Sequence, residues 1–258
     1  MIYVIGILAV LLLMGLLEYY HIEHTFLKIQ DFKPKQQVPK ELSGERIVYL
    51  SDFQFDHKWT GFRHLAIKRI VKKVNNLNPD LILFGGDLVH KKNRYNHHIK
   101  PYMSQFHAPI IAILGNHDYY DLETVEAIYQ DANVSLIVNE TLNYKGMQIV
   151  GVDDLRIGNP QVPPLQDQFT LLLTHSADVV ETMKESYDIA LAGHFHGGMV
   201  TVFGLYAPVI KSAYGKKYAQ GMIKAPTGHI YVGRGLGGYV FFVPMRFFAR
   251  PEIIVIDF

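Results

Sequence analysis

Eight residues of this chain pair a metal-ligating or proton-transferring side chain with one recurring position, the carboxyl end of a short apolar run. Asp52 and Gln54 stand at the end of 46–52 (RIVYLSD), Asp87 ends 81–87 (LILFGGD), and Asn116 and His117 end 109–116 (PIIAILGN). His175 ends 169–175 (FTLLLTH), and His194 and His196 end 188–194 (DIALAGH). Two carboxylates, amide oxygens and several imidazoles form a hard-to-borderline ligand set that suits two divalent ions such as Mn, Fe or Zn, with one carboxylate free to bridge. Alone, each of these residues reads as a turn residue, a cap or a satisfied histidine. Five such events in chain order, each closing a strand, do not. The chain has no cysteine, which excludes thiolate zinc sites, disulfides and cysteine nucleophiles.

The elements that must position these groups follow from periodicity. Apolar runs of four to seven residues without alternation are what strands buried on both faces look like, and 147–153, 229–233 and 252–257 add to the five above. Phe62, Leu65, Ala66, Ile70, Val74 and Leu77 recur at helical spacing, with Lys68, Arg69, Lys72 and Lys73 on the other side, which predicts an amphipathic helix. Further helices are expected over 95–106, 121–131 and 176–186, the last capped by Ser176 or Asp178. Strands separated by helices predict an α/β protein. In open α/β sheets, sites form at the carboxyl ends of strands.

Composition narrows the rest. With 258 residues, 49% apolar and 19% charged, the chain has material for one catalytic-sized domain and a short appendage. A net charge of +1 offers no basic face for nucleic acid, and none is expected as a partner. Residues 2–17 carry no charge; as a helix they span ~25 Å, the short end for a bilayer core. Tyr19 and Tyr20 suit a headgroup anchor. No basic residue precedes the run and no small-residue cleavage motif closes it, so an uncleaved anchor is expected over a signal peptide. Residues 21–45, polar and containing Pro34 and Pro39, read as a connector, and 46–258 as the catalytic domain. Lys28, Lys33, Lys35 and Lys40 follow the span, which places the domain of a single-pass, monomeric membrane protein on the cytoplasmic side by the positive-inside rule.

The series SDFQ (51–54), GGD (85–87), GNHD (115–118), LLTHS (172–176) and GHFH (193–196) resembles the calcineurin-like metallophosphoesterase superfamily over about 45–258. The tail, with GHFHGG, Tyr214-Gly215, GRGLG (233–237), Arg246-Phe247 and Arg250-Pro251-Glu252, resembles a bacterial subgroup of membrane-associated phosphodiesterases whose relatives include UDP-2,3-diacylglucosamine pyrophosphatases. The resemblance implies a four-layer αββα sandwich. It assigns Asp52, Gln54 and His196 to a first metal, Asp87 to a bridge, and Asn116, His175 and His194 to a second metal. His117 would contact the phosphate and assist the leaving group, and Asn116 and Arg234 would touch substrate. Two ions ~3.5–4 Å apart would clamp the phosphate oxygens around a bridging hydroxide that attacks phosphorus in line, with no protein nucleophile.

Two positions depart from the family pattern. Gln54 stands where histidine is usual, and an amide oxygen is a harder, weaker ligand that turns preference from Zn²⁺ toward Mn²⁺, with Fe²⁺ and Mg²⁺ as alternatives; His57 could substitute by folding back. His90 stands where the family often has an aspartate that orients the catalytic histidine, and Asp118 could partly replace it. A degenerate, non-catalytic metal-binding protein is the competing reading, although the bridging carboxylate and the Gly-His-x-His pair are present. The aromatic stretches 203–210 and 237–248, the second including Phe241 and Phe242, pack either as core beneath a loop or as an exposed apolar lip. With the anchor, a lip favours a lipid-linked phosphoester; a small soluble phosphodiester or nucleotide is the alternative.

Overall fold

The computed structural model describes residues 2–56, 58, 60–240 and 243–258. In order, the elements are α1 (Ile2–Tyr20), β1 (Glu23–Lys28), α2 (Ile29–Phe32), β2 (Arg46–Leu50), α3 (Thr60–Asn76), β3 (Leu81–Phe84), α4 (Lys100–Met103), β4 (Ile110–Ala112), α5 (Leu122–Asp131), β5 (Ser135–Leu136), β6 (Glu140–Tyr144), β7 (Met147–Val152), β8 (Thr170–Thr174), β9 (Ile189–Ala192), β10 (Gly221–Lys224), β11 (His229–Val232) and β12 (Glu252–Asp257). They form two six-stranded sheets, ordered β1-β12-β2-β3-β4-β5 and β10-β11-β9-β8-β7-β6. Strands β2, β3 and β4 are mutually parallel, as are β7, β8, β9 and β11, so their carboxyl ends reach one edge of each sheet.

The unbroken apolar runs have a simple cause: successive side chains point to opposite faces, and both faces are covered. Ile47, Tyr49, Leu81, Leu83 and Ile111 point between the sheets, where they meet Ile149, Leu171, Leu173, Ile189 and Leu191 of the second sheet. Val48, Leu50, Ile82, Phe84 and Ala112 point outward to Ile67, Ile70, Val74, Met103 and Val125 of α3, α4 and α5. On the far side, Val150, Leu172, Ala190 and Ala192 pack on Ala177, Val179, Val180 and Tyr218. The molecule is therefore a four-layer α/β sandwich. Its second outer layer is made of 3₁₀ turns, Ala177–Glu181 and Gly215–Tyr218.

Several sequence expectations shift. The 176–186 helix is only that 3₁₀ turn, and Ser176 makes no side-chain cap bond. The 95–106 helix divides into a 3₁₀ turn, Asn96–Ile99, and the single turn of α4. Along α3 the buried face is rotated: Leu65 is exposed while Arg63 and Ile67 are buried. The stretch expected as a connector contributes β1, which pairs in parallel with β12 from Glu23↔Glu252 to Lys28↔Asp257. Nothing local marks that strand, because its partner lies at the other end of the chain.

Among the described residues, one helix, within Tyr3–Tyr20, is long and apolar enough to cross a membrane. Its last turns dock on the domain. Arg250 bonds both carboxylate oxygens of Glu18 (2.8 and 2.9 Å), and Arg246 N–H donates to Gly15 O (3.0 Å). The tyrosine pair is not turned to headgroups. Tyr19 is buried against Phe62 with ring centroids 5.4 Å apart and receives a hydrogen bond from Arg63, and the Arg69 guanidinium lies 3.7 Å over the Tyr20 ring. His57, Phe241 and Phe242 lie outside the described residues.

Candidate metal centre

The turns that follow the strands hold their side chains by backbone strain. Asp52, Gln54, Asp87, His194 and His196 all adopt positive φ, from 44° to 71°, a conformation that non-glycine residues rarely take and that clusters at functional sites. The strain is held by bonds between turns: Asp52 N–H donates to Gly86 O (2.9 Å) and Gln54 N–H to Asp87 O (2.8 Å). Gly86 and Gly115 lie so close that a Cβ on Gly86 would collide with the Gly115 backbone. Asp118 sews these turns together, accepting from the N–H groups of Asp87 (2.8 Å), Gly115 (2.9 Å) and Val89 (3.2 Å). Its carboxylate is thereby committed to the backbone and does not reach His117. Burial, with Asp87 adding to it, pushes the Asp118 carboxyl up to about 7.

One cluster is ready for a cation. Asp87, His175 and His194 each aim one ligand atom at a common point, with these atoms within 4.8 Å of one another. His175 Nδ1–H donates to Gly85 O (2.7 Å), so its Nε2 faces Asp87 Oδ2 (3.4 Å) and His194 Nδ1 (3.2 Å). That bond to the backbone fixes the tautomer, as expected of a metal-ligating histidine. Two imidazole nitrogens this close need a proton or a metal between them. Burial disfavours charge on His175, yet the adjacent Asp87 pushes its ring up to about 10 and is itself held well below the usual carboxylate range. Burial and the neighbouring His175 bring His194 down to about 3. The buried Oδ1 of Asn116 has no hydrogen-bond partner, which is what a ligand oxygen awaiting its ion looks like. These residues fit a divalent metal.

The first-metal residues also converge, with a different charge pattern. Asp52 is fully buried, accepts both contacts of His194 N–H at 3.2 Å, and lies 3.6 Å from His196 Nε2. Burial raises its carboxyl above the ordinary range. The Gln54 amide nitrogen stands 3.0 Å from both Asp87 Oδ2 and His196 Nε2. Behind His196, the buried Arg246 donates from Nη2 to Nδ1 (3.2 Å), which leaves the proton of the neutral ring on Nε2. For His196 Nε2 to face a cation, the ring proton must move to Nδ1 at the expense of the Arg246 bond, and the Gln54 amide must turn to offer its oxygen.

His117 is held by two bonds: its N–H donates to Asp87 Oδ1 (2.8 Å), and its Nδ1–H donates to the main-chain carbonyl of His90. Nε2 is then the ring nitrogen on the side away from the His90 carbonyl. The His90 ring stacks on His117 with centroids 4.7 Å apart and is lowered to about 4 by burial and by His117. Tyr239 packs on His90, Arg63 on Tyr239, and Tyr19 of α1 on Arg63, an unbroken file from the apolar helix to His117.

Gln54, Asp87, Asn116, His117, His194 and His196 line a cavity of about 410 Å³. A second cavity of about 410 Å³ shares Arg156, His194 and Lys211 with it and runs on past Ser176, Asp178 and Ser212. Of the metal-ligand candidates, His194 stands at the junction of the two lobes, and Gln54, Asp87, Asn116 and His196 line the first lobe beside it. Arg234, expected at the substrate, turns its guanidinium to Glu23 (2.7 Å) and Glu252 (3.3 Å) and is absent from the lining. The cations that do line the groove are Lys91, Arg156 and Lys211. No local pattern marks these three, since each comes from a separate loop.

The model of the calcineurin-like phosphoesterase family matches residues 45–198, more than half of the chain and the stretch that contains all eight strand-end residues. The chain belongs to that family. It is a hydrolase of phosphoester bonds, and the calcineurin-like phosphoesterases use divalent metals. It is similar to YkuE, a metallophosphoesterase of Bacillus subtilis (strain 168), with 33% identity over 84% of this chain and 80% of that protein. Phosphodiesterase YaeI of Escherichia coli (strain K12) is 29% identical over 69% of this chain and 70% of its own. The UDP-2,3-diacylglucosamine pyrophosphatase LpxG of Chlamydia muridarum is 24% identical over 91% of this chain and 90% of its own.

Proposed function

We propose that this protein is a two-metal phosphodiester or pyrophosphate hydrolase, held at a membrane by α1, that acts on a lipid-linked substrate. The observation that carries the reading is the convergence of Asp87, His175 and His194 on one point beside the orphaned oxygen of Asn116. Divalent ions bound there supply charge for the phosphate oxygens and a water of lowered pKa. Asn116, His175 and His194 would hold one ion, Asp52, Gln54 and His196 the other, with Asp87 between them. The His175 site would be the better prepared, since Gly85 O already holds its Nδ1–H, while the Gln54 site would need an amide rotation and a shift of the His196 proton to Nδ1; Mn²⁺ is the ion expected there. His117 Nε2 would carry the proton to the departing oxygen.

The two-lobed groove supports a substrate with groups on both sides of phosphorus, as diesters and pyrophosphates have and monoesters lack. Lys91, Arg156 and Lys211 add positive charge for an anionic one. Met199 and Val209 give one lobe an apolar wall, and Ser176, Asp178 and Ser212 give the other a polar one, as an amphipathic substrate needs. The similarity to an enzyme named for a diacylated pyrophosphate agrees with this.

The test is turnover by the full chain, reconstituted with Mn²⁺, of a chromogenic diester, the matching monoester and a diacylated sugar nucleotide. Turnover of the diester and the lipid pyrophosphate above the monoester is expected. Preference for the monoester would remove the two-lobe argument, and no metal-dependent turnover of any of them would leave the non-catalytic reading.

A further inference from the structure

Two apolar surfaces of this protein are unpartnered, and they meet. The first is α1, exposed through residues 3–14. The second is a hairpin outside the sheets. Val202 pairs with Tyr206, Val202 N–H donates to Tyr206 O (2.8 Å), and Leu205 N–H donates to Val202 O (3.0 Å). Its tip presents Phe203 and Leu205, 75% and 90% exposed, and Phe248 packs against Phe203 with centroids 5.5 Å apart. A hydrogen-bonded turn that holds its two largest apolar side chains in water is a surface built for a partner.

The hairpin is continuous with the docking of α1. Its base is bonded to the following segment through Thr201 N–H to Phe247 O (2.9 Å) and Phe247 N–H to Met199 O (3.0 Å). Phe247 and Met245 close over Gly15 of α1, where even a Cβ would stand 2.9 Å from Phe247 Cζ. The covered contact of Gly15 with Phe247 therefore joins the exposed part of the helix to Phe248, Phe203 and Leu205. At the hairpin's end Lys216 bonds the Tyr206 hydroxyl and sits 3.6 Å over its ring, an amphipathic pairing of the kind found at headgroup level. Two residues beyond Val209, which lines the metal groove, comes Lys211.

We propose that the hairpin Val202–Tyr206, with Phe248, inserts into the acyl layer of the leaflet that α1 leaves, with Lys211 and Lys216 at the phosphates. A lipid-linked substrate then reaches the metal groove past Val209 without leaving the bilayer. The inference rests on the membrane-anchored reading given above, and the two fail separately. Because the chain has no cysteine, single labels are clean. The full chain would be reconstituted into vesicles of phosphatidylcholine and phosphatidylglycerol with an environment-sensitive fluorophore on Leu205→Cys, Leu8→Cys or Glu140→Cys. Glu140 lies on β6, the far edge of the second sheet.

Leu205→Cys is expected to shift to the blue and to be quenched by acyl-chain nitroxide lipids as strongly as Leu8→Cys, with Glu140→Cys unaffected. A water-like Leu205→Cys beside a quenched Leu8→Cys overturns the hairpin insertion and leaves the anchor standing. Two unquenched labels remove the anchor with it. A blue shift without lipid quenching means that a second copy of the chain covers the hairpin, which also overturns the proposal. In turnover, Leu205→Asp is expected to lower hydrolysis of vesicle-presented substrate by roughly tenfold or more and to leave a soluble chromogenic diester unchanged; equal loss on both overturns the substrate path.

Discussion

His117 donates its Nδ1–H to the main-chain carbonyl of His90, and the two rings stack with centroids 4.7 Å apart. The partner that orients the histidine is thus supplied by the backbone, and the His90 side chain adds only packing. His90→Ala is expected to keep that carbonyl and lower kcat less than tenfold, whereas His117→Asn should cost ~10²–10⁴ in kcat. Steady-state kinetics on a diester with the metal content matched would check this; equal losses would mean that the His90 ring itself orients His117.

Asp87 receives bonds from Gln54 and His117 and faces His175. Asp87→Asn replaces a carboxylate with a neutral group able to offer only one ligand oxygen. Hydrolysis should disappear and bound metal should fall in elemental analysis. Full metal content with activity retained would exclude a bridging role.

On the two-metal proposal, Gln54 would make one metal position weaker than the other. Metal titration of the native chain should show one tight and one weak site, and Gln54→His should tighten the weak one for Zn²⁺ over Mn²⁺, since imidazole suits zinc. An unchanged titration would place Gln54 outside the ligand set.

Arg246 is buried and donates to the carbonyls of Gly237, Arg234 and Ala249 as well as to His196 Nδ1. Lysine has no planar fork to serve them all. Arg246→Lys should strand buried carbonyls at about 1–3 kcal/mol each, seen as a lower Tm, and, by freeing His196 Nδ1 to carry the ring proton, should favour metal at the His196 site relative to the His175 site. Equal weakening of both would make Arg246 a purely structural hub.

The ligand candidates were legible in the sequence because a strand end is a local event: an apolar run stops, and Asp87 or His175 stands where it stops. Eight strands were legible for the same reason, one for each expected run, while β5, β6 and β10 were not anticipated. Strand β1 was not, since the pairing of Glu23 with Glu252 joins segments more than two hundred residues apart and leaves no mark on either. The sequence left the aromatic stretches open between core and lip, and the hairpin bonds of Val202 and Tyr206 are what place Phe203 and Leu205 at an exposed tip.

Residue types and their order along the chain were enough to say that candidate metal ligands gather at the carboxyl ends of buried strands, because side-chain chemistry and periodicity are properties of short segments. Which of those ligands is prepared for an ion was decided by tertiary contacts: the Gly85 carbonyl sets the tautomer of His175, while Arg246 sets that of His196. The fate of Arg234, drawn to Glu23 and Glu252, and the arrival of Lys91, Arg156 and Lys211 at the groove were decided there too. A charged side chain takes the partner that folding brings within a few ångströms, and that distance is not written in any stretch of sequence.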